Sequence, residues 1–418
     1  MAARPTAPVL AAHALAWALT AWALGATLRH GLAEPRTAAA FGALIAVGEL
    51  ARWGARDGER DPAPLASAGA LAYALLGQVA GHAGRHGVLQ VIAVVVAAML
   101  LGSVPHVAVG RGPSADEMAR RVLTVAFAAV CFQPLYHAGL LDDWFGHGPS
   151  FAFVLLLLLV LTALCDAVVA ALLLYARTRY PFGPLLRDEL RGLLGIGSAV
   201  CATGTVIALA VAVAGLWALP VFCVPLLLTQ LAFRRYAAVR TTYRQTITSL
   251  ARATEIAGYT KPGHARRVAE LSRAVGRELG LCESELTVLE YAALMHDIGQ
   301  LSLLDPVPAG ATAALPVTEQ RRIALLGGAV VRQTGVPADV ALIVERQADP
   351  YWEQPLAARI IRAVNAYDDL AEGADGPGSS LNALEQLRLG TGRDYHPRVV
   401  ESLARVLARG CLTRVPPG

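Results

Sequence analysis

Residues 289–299, which read Leu-Glu-Tyr-Ala-Ala-Leu-Met-His-Asp-Ile-Gly, decide the fold of the C-terminal part of this 418-residue chain. Apolar residues at helical spacing predict one helix from Glu283 to Met295. His296 and Asp297 would point about 100° apart on a regular helix, but at a helix end the backbone can turn both toward one ion. An imidazole nitrogen and a carboxylate oxygen are ligands for a divalent metal, which activates water for attack on phosphorus.

The sequence on both sides of this segment also has a helical pattern. Residues 264–279 place Val268, Leu271 and Val275 on one stripe, and Gly280 is typical of a helix end. Further helices are predicted over 318–334, 337–348, 355–372, 381–389 and 397–409. Because no stretch alternates apolar and polar residues over a useful length, this part of the chain is predicted to be all-α.

Three further segments accompany residues 289–299. They are Thr260-Lys-Pro-Gly-His264-Ala-Arg-Arg-Val, Ala358-Arg-Ile-Ile-Arg-Ala-Val-Asn365-Ala-Tyr-Asp368-Asp369 and Tyr395-His396-Pro397. In this order the four segments resemble the opening helix, the signature helix, the distal helix and the closing segment of the HD superfamily of metal-dependent phosphohydrolases. Within it they resemble the HD-GYP cyclic di-GMP phosphodiesterases. The resemblance covers about 246–407 and implies an all-α, HD-type helical domain.

The resemblance implies that His264, His296 and Asp297 are metal ligands, with His296 and Asp297 also catalytic. The family's distal Asp falls on Asn365, whose neutral oxygen binds a hard cation less well. Two carboxylates follow three and four residues later on the same helix and are candidates to bind or support the metal: Asp368 and Asp369. One divalent ion, Fe, Mn or Mg, is expected rather than two.

Several family positions hold other residues here. Expected histidines fall on Ile323, Arg346 and Gln347, the Gly-Tyr-Pro loop is absent, and Gln300 replaces the lysine that usually follows His-Asp-Ile-Gly. These losses remove most ligands of a second metal. Three arginines that lie near the site in the family fold are candidates to bind phosphate: Arg321, Arg322 and Arg346.

Three interpretations of this site stay open. In the first, the domain is a metal-dependent phosphohydrolase of the cyclic-nucleotide phosphodiesterase type, acting on a nucleotide or cyclic dinucleotide. In the second, it is a degenerate HD-GYP-like module that binds a nucleotide or a partner protein without hydrolysis, with or without a metal. In the third, His296 and Asp297 only cap a helix end.

The N-terminal part of the chain has a different composition. Residues 1–233 contain 14 Arg and 12 Asp or Glu, whereas 234–418 contain 22 Lys or Arg and 20 Asp or Glu. The whole chain has 16% charged residues, against about 25% in an ordinary soluble protein. The first part therefore suits a lipid bilayer, and the small, even excess of positive charge excludes a typical binder of nucleic-acid polymers.

Apolar runs near 20 residues can cross a ~30 Å hydrocarbon core as helices. About eight transmembrane helices are predicted: 7–28, 37–51, 63–81, 87–109, 121–140, 150–175, 193–214 and 216–233. Loops rich in arginine, at 52–62, 110–120 and 176–192, alternate with loops that are poor in it. Because cytoplasmic loops retain Arg and Lys, both termini and the C-terminal domain are predicted to lie in the cytoplasm. The alternative is a cleaved first segment, which also leaves the C-terminal part inside.

Polar residues in this membrane region could serve function or packing. Asp166 lies in the middle of a predicted span, where an ionisable group is expensive, and would act in membrane function or form a hydrogen bond between helices. Five histidines fall on the predicted outer side, where they would bind a metal, sense pH or simply be solvated: His30, His82, His86, His137 and His147.

Three domains are thus predicted: a polytopic membrane region with a sensor role at 1–233, a helical stalk at 234–257 and the HD-like domain at 258–418. In the stalk Tyr236, Val239, Tyr243 and Leu250 recur at steps near three and four. This stripe predicts either a parallel homodimer or packing on the following domain. A composition with Lys261 as the single lysine indicates a bacterial source and places the protein in the cytoplasmic membrane.

Overall fold

The computed structural model describes residues 7–52, 63–110, 112–145, 149–178, 180–304, 307, 312, 315–373 and 379–409. Of the residues that the structure describes, 81% are helical, which confirms the all-α fold predicted from the sequence. It divides into two units, Met1–Ala237 and Ala238–Gly418. Arg56 and Arg60 of the first arginine-rich loop, and His147 of the predicted outer side, lie outside the described residues.

The first unit consists of helices and one short hairpin. Its helices are α1 (Ala7–His30), α2 (Pro35–Leu50), α3 (Pro64–Ala74), α4 (Val88–Ala108), α5 (Ala115–His137), α6 (Leu140–Phe145), α7 (Pro149–Thr178), α8 (Phe182–Gly192), α9 (Ser198–Ala214) and the start of α10 (Ala218–Ile256). A π-helical turn at Leu193–Gly197 joins α8 to α9. Strands β1 (Gln78–Val79) and β2 (His82–Ala83) pair antiparallel, with Val79 opposite His82.

Among the residues that the structure describes, five helical segments are long and apolar enough to cross a membrane: Ala7–His30, Val88–Ala108, Ala115–His137, Pro149–Thr178 and Ser198–Ala232. The count differs from the eight predicted spans. Helices α2 and α3 have only 16 and 11 residues, and 11 residues extend roughly 16 Å, about half of a ~30 Å core. The predicted spans 193–214 and 216–233 fall within the single candidate Ser198–Ala232, in which the 3-10 turn at Gly215–Trp217 separates α9 from α10.

The two short helices α2 and α3 are packed inside the first unit. Gln230 is 1% exposed; its amide donates to the carbonyl of Gly48 at 3.1 Å and its oxygen accepts from the backbone N–H of Leu65 at 3.2 Å. A Cβ on Gly48 would lie 2.4 Å from the backbone nitrogen of Ala66, so the close approach of these helices requires glycine. The apolar sequence of α2 and α3 therefore reflects burial against other helices. Burial in lipid selects the same apolar composition.

The predicted stalk lies within the single helix α10. Ile247 and Ala251 are buried in the core of the second unit, and Leu250 packs against the same core. Of the predicted stripe, Leu250 thus contacts the core of the following domain, whereas the buried residues Ile247 and Ala251 do not belong to the stripe. The side chains of Tyr236, Val239 and Tyr243 lie outside those described, and the homodimer stays a prediction.

The second unit contains seven more helices around one core. They are α11 (His264–Glu278), α12 (Glu283–Met295), α13 (Val317–Gln333), α14 (Ala338–Arg346), α15 (Leu356–Gly373), α16 (Ser379–Leu389) and α17 (Pro397–Ala408). Each begins and ends within two residues of its predicted range. Helix α12 begins with a hydrogen bond from the Cys282 N–H to the Glu285 carboxylate at 2.7 Å. A 3-10 helix, Ile298–Ser302, follows it.

Gly299 lets α13 pack directly on this 3-10 helix. A Cβ at Gly299 would lie 2.1 Å from the carbonyl oxygen of Ile323 and 2.7 Å from the nitrogen of Gly327. Both are backbone atoms, which cannot rotate away as a side chain can. The close contact fixes the backbone immediately after His296 and Asp297.

We expect Gly299→Ala to lower the free energy of unfolding by at least about 1–3 kcal/mol, because one inserted methyl forces the two elements apart. Thermal unfolding of the full-length protein in detergent measures this loss. In the control Gly276→Ala, the new methyl meets the ends of Leu286 and Leu289 at 2.8 and 2.9 Å. Because those side chains can rotate, the midpoint temperature of unfolding should fall less in Gly276→Ala than in Gly299→Ala. Equal midpoint temperatures for the two variants would contradict the close-packing argument.

Candidate metal centre

Three helices bring the candidate ligands together. His264 is the first residue of α11 and follows Gly263, whose φ of 75° directs the chain into the helix. His296 directly follows α12, and Asp297 leaves the helical conformation with φ −98° and ψ 2°. The helix end thus turns neighbouring His and Asp side chains to one point, as expected from the sequence.

The ligand atoms are close together and buried. Nε2 of His264 lies 3.3 Å from Nε2 of His296, and these nitrogens lie 3.4 and 3.2 Å from Oδ2 of Asp297. The three residues are 4%, 1% and 4% exposed. Their ligand atoms all lie within 4.8 Å of one another, a spacing that could hold one metal ion.

Second partners orient both imidazoles. Nδ1 of His264 lies 2.8 Å from Oδ2 of Asp368, and Nδ1 of His296 lies 2.8 Å from the carbonyl oxygen of Ala293. Because both partners are acceptors, each Nδ1 carries a proton, and each Nε2 would direct a lone pair inward once a metal has displaced the proton of the cluster. Oδ2 of Asp297 is buried without a hydrogen-bond donor among the described residues. Two lone pairs and a carboxylate oxygen aimed at one another fit a cation.

The charges of this cluster are strongly coupled. Burial opposes protonation of His264, but Asp297 and Asp368 outweigh it and raise the pKa of His264 to about 10. Burial likewise opposes the charge of Asp297, yet His296 and His264 hold the pKa of Asp297 well below its usual range. A bound metal would take the place of the proton that now compensates this carboxylate.

Asn365, on α15, is the fourth candidate ligand beside the two histidines and Asp297. Its Oδ1 lies 3.1 Å from Nε2 of His296, and its Nδ2 donates to the hydroxyl oxygen of Thr312 at 3.2 Å. The Thr312 hydroxyl in turn donates to Oδ1 of Asp297 at 3.5 Å. The amide is therefore oriented with its oxygen toward the histidines, where it could serve as a fourth ligand. The sequence contained no signal for Thr312.

Asp368 and Asp369 take different positions. Asp368 supports His264 rather than joining the ligand atoms, and Arg267 donates to it from Nε at 3.0 Å and Nη2 at 2.9 Å. Asp369 contributes only weakly to the pKa of Tyr395, which burial raises against the opposing effect of Arg362 and which Asp394 raises more than Asp369 does. Of the two carboxylates, Asp368 thus supports the candidate centre directly.

A cleft of about 490 Å³, including its open mouth, lies beside these ligands. Its lining comprises Asp297, Thr312, Gln320, Ile323, Gln347, Ala348, Arg362, Asn365, Ala366 and Tyr395. Ile323 and Gln347, which stand where the resemblance expects histidines, both face this cleft.

The arginines that the sequence suggested lie outside this lining. Arg321 and Arg346 pair with Asp349 at 3.8 and 3.2 Å, and Arg322 lies 3.9 Å from Glu319. Their role in binding phosphate stays a prediction. Sequence reasoning missed Arg362, although its spacing of three residues from Asn365 on one helix could have indicated it.

Asp166 belongs to the first unit. It accepts a hydrogen bond from the Thr124 hydroxyl at 2.8 Å, and the Nε of Arg120 lies 3.5 Å away. This is the contact between helices that a packing role predicts, and a role in membrane function stays a prediction.

Comparison with known proteins identifies the second unit. Residues 263–370 match the model of the HD domain family. The cyclic di-GMP phosphodiesterase response regulator RpfG of Xanthomonas campestris pv. campestris (strain 8004) is 30% identical over 179 residues, which cover 39% of this chain and 47% of that protein. The chain thus spans about half the length of this curated relative. No solved structure matches. These matches confirm the HD-type helical domain and support an HD phosphohydrolase.

We expect Asp368→Ala to weaken metal binding roughly 10- to 100-fold, because His264 then loses the acceptor that orients its ring. Metal content of the full-length protein after dialysis against graded Mn²⁺ measures this. Glu372→Gln is the matched control, because Glu372 pairs with Arg267 at 2.7 Å but not with His264. If Asp368→Ala retains the affinity of the control, His264 needs no support from Asp368.

Metal binding should also strengthen as pH rises from 6 to 8. In the metal-free protein the pKa of His264 is about 10, so a proton occupies the cluster throughout this range and a metal must displace it. One displaced proton increases apparent affinity about tenfold per pH unit. Isothermal titration with Mn²⁺ in buffers of different ionisation enthalpy counts the released protons; a constant affinity with no release would contradict the protonated cluster.

Proposed function

We propose that this chain is a membrane-anchored signalling protein whose HD domain is a metal-dependent phosphohydrolase acting on a cyclic dinucleotide or another nucleotide. The observation that carries the proposal is the convergence of two inward-facing imidazole nitrogens on the carboxylate of Asp297. The name of the relative RpfG supports a cyclic dinucleotide as the substrate class.

His264, His296, Asp297 and Asn365 would hold one divalent cation, with Fe, Mn or Mg as candidates. Such a cation would supply the Lewis acidity that polarises a phosphoryl group and makes water a nucleophile at neutral pH. Asp368 and the carbonyl of Ala293 would keep the two imidazoles in the ligating tautomer. Asp297, held at Oδ1 by the Thr312 hydroxyl, would also help to position the attacking water beside the cleft.

A binding module without hydrolysis is the second candidate, and two side chains in the cleft favour it. Ile323 offers no ligand atom, and the amide of Gln347 donates to the carbonyl of His296 at 2.7 Å. Gln347 therefore supports the backbone of the site instead of holding a second ion. A domain with these residues could retain nucleotide binding after losing turnover.

Membrane anchoring rests on the first unit. Five helical segments in the described part of the chain are long and apolar enough to cross a bilayer, and the lipid bilayer is the partner that their composition favours. The alternation of arginine along the sequence supports a cytoplasmic HD domain and cytoplasmic termini. A signal received by the membrane region would then reach the HD domain through α10.

Metal content and turnover of the full-length protein in detergent test the proposal together. We expect about one equivalent of Mn or Fe per chain and hydrolysis of cyclic di-GMP. His296→Ala and Asp297→Ala should each abolish both, because each removes a ligand. The control Glu401→Gln changes an exposed carboxylate on α17 and should alter neither.

Each result separates the candidates. Metal and nucleotide binding without turnover would replace the phosphohydrolase with the binding module. Less than ~0.1 equivalent of metal after aerobic and anaerobic loading, with no nucleotide turnover, would contradict the metal centre itself. Turnover that survives Asp297→Ala would place the reaction at another site.

A further inference from the structure

The cleft beside the candidate metal centre contains one positively charged side chain among the residues of its lining, Arg362. It projects from α15, three residues before Asn365, so both side chains lie on the same face of the helix. Asn365 contacts His296. Arg362 and the candidate ligands therefore border the same space from neighbouring turns of one helix.

The hydrogen-bond partners of Arg362 are backbone carbonyls. Its Nη1 donates to the carbonyl oxygen of Asp349 at 3.0 Å and approaches that of Gln347 at 3.5 Å. Among the described residues no carboxylate lies within ion-pair distance of it. Arg267 and Arg346, by contrast, are paired with Asp368 and Asp349 at 2.9 and 3.2 Å.

A guanidinium has five N–H donors in a planar fork, and two backbone carbonyls occupy only part of it. The two carbonyl contacts hold its position without neutralising its charge. An anion with several oxygens in the cleft would complete its hydrogen bonds and balance the charge. Gln300, by comparison, is uncharged and fully buried, and does not line the cleft.

We infer that Arg362 binds a phosphate group of the ligand in this cleft and holds it beside the candidate metal centre. This inference rests on the proposed function, because it assumes that the ligand is a phosphate ester. It assigns a position for phosphate that differs from Arg321, Arg322 and Arg346. In that position Arg362 determines specificity for phosphorylated ligands and does not act as a proton donor.

Binding of cyclic di-GMP to the full-length protein in detergent, with Mn²⁺ present, tests the inference by rapid ultrafiltration. Arg362→Gln keeps a donor for the backbone carbonyls but removes the charge, so the dissociation constant should rise roughly 10- to 100-fold. Arg362→Lys keeps the positive charge but lacks the planar fork of donors, so its dissociation constant should lie between those of the original protein and Arg362→Gln. Inorganic phosphate should compete less well with cyclic di-GMP in Arg362→Gln than in the original protein.

The matched control is Arg388→Gln, which removes a guanidinium from the exposed face of α16. The affinity of Arg388→Gln for cyclic di-GMP should stay within about twofold of that of the original protein. The Mn content should be the same in the original protein and in all three variants. Undiminished binding by Arg362→Gln would overturn the inference and leave the proposed function standing. A loss of Mn from Arg362→Gln would show a structural role and also overturn it. If the original protein binds Mn but neither cyclic di-GMP nor phosphate, both the inference and the proposed function fail.

Discussion

The burial of two imidazoles against one carboxylate is the constraint on which the C-terminal unit depends. His264, His296 and Asp297 are each less than a tenth exposed and lie 3.2–3.4 Å apart at their ligand atoms. Burying a charged group without a partner is costly, so the cluster must contain a proton or a cation. The surrounding acceptors, Asp368 and the Ala293 carbonyl, fix which atoms face inward. The same arrangement that retains a proton on His264 would favour a metal ion.

This constraint extends into the packing of the backbone. Helix α12 must end at Met295, because Asp297 can face the histidines only after the chain has left regular helix. The 3-10 helix that follows then passes so close to α13 that a Cβ on Gly299 would meet the carbonyl of Ile323. The chemistry of the site and the packing of α13 therefore depend on the same few residues.

The sequence predicted the helices of the second unit and the proximity of His264, His296 and Asp297, because both leave local signals. Apolar spacing located α11 to α17, and the motif around His296 located the helix end. Contacts made by residues without such a pattern were missed. Thr312 lies between segments of no recognisable pattern, and Arg362 was one arginine among many. Helices α2 and α3 were predicted as spans because apolar composition marks removal from water, whether the surroundings are lipid or other helices.

The charge of the site argues for one metal ion rather than two. Among the four candidate ligands only Asp297 carries a negative charge, since Asn365 is neutral and Asp368 is already paired with Arg267. One divalent cation with this carboxylate leaves a single positive charge, which a phosphate in the cleft could balance. A second divalent cation would raise that charge to three, and Ile323 and Gln347 supply no further carboxylate to offset it. Because uncompensated charge is costly in a buried site, the neutral side chain of Asn365 is compatible with one ion at this site and disfavours a second.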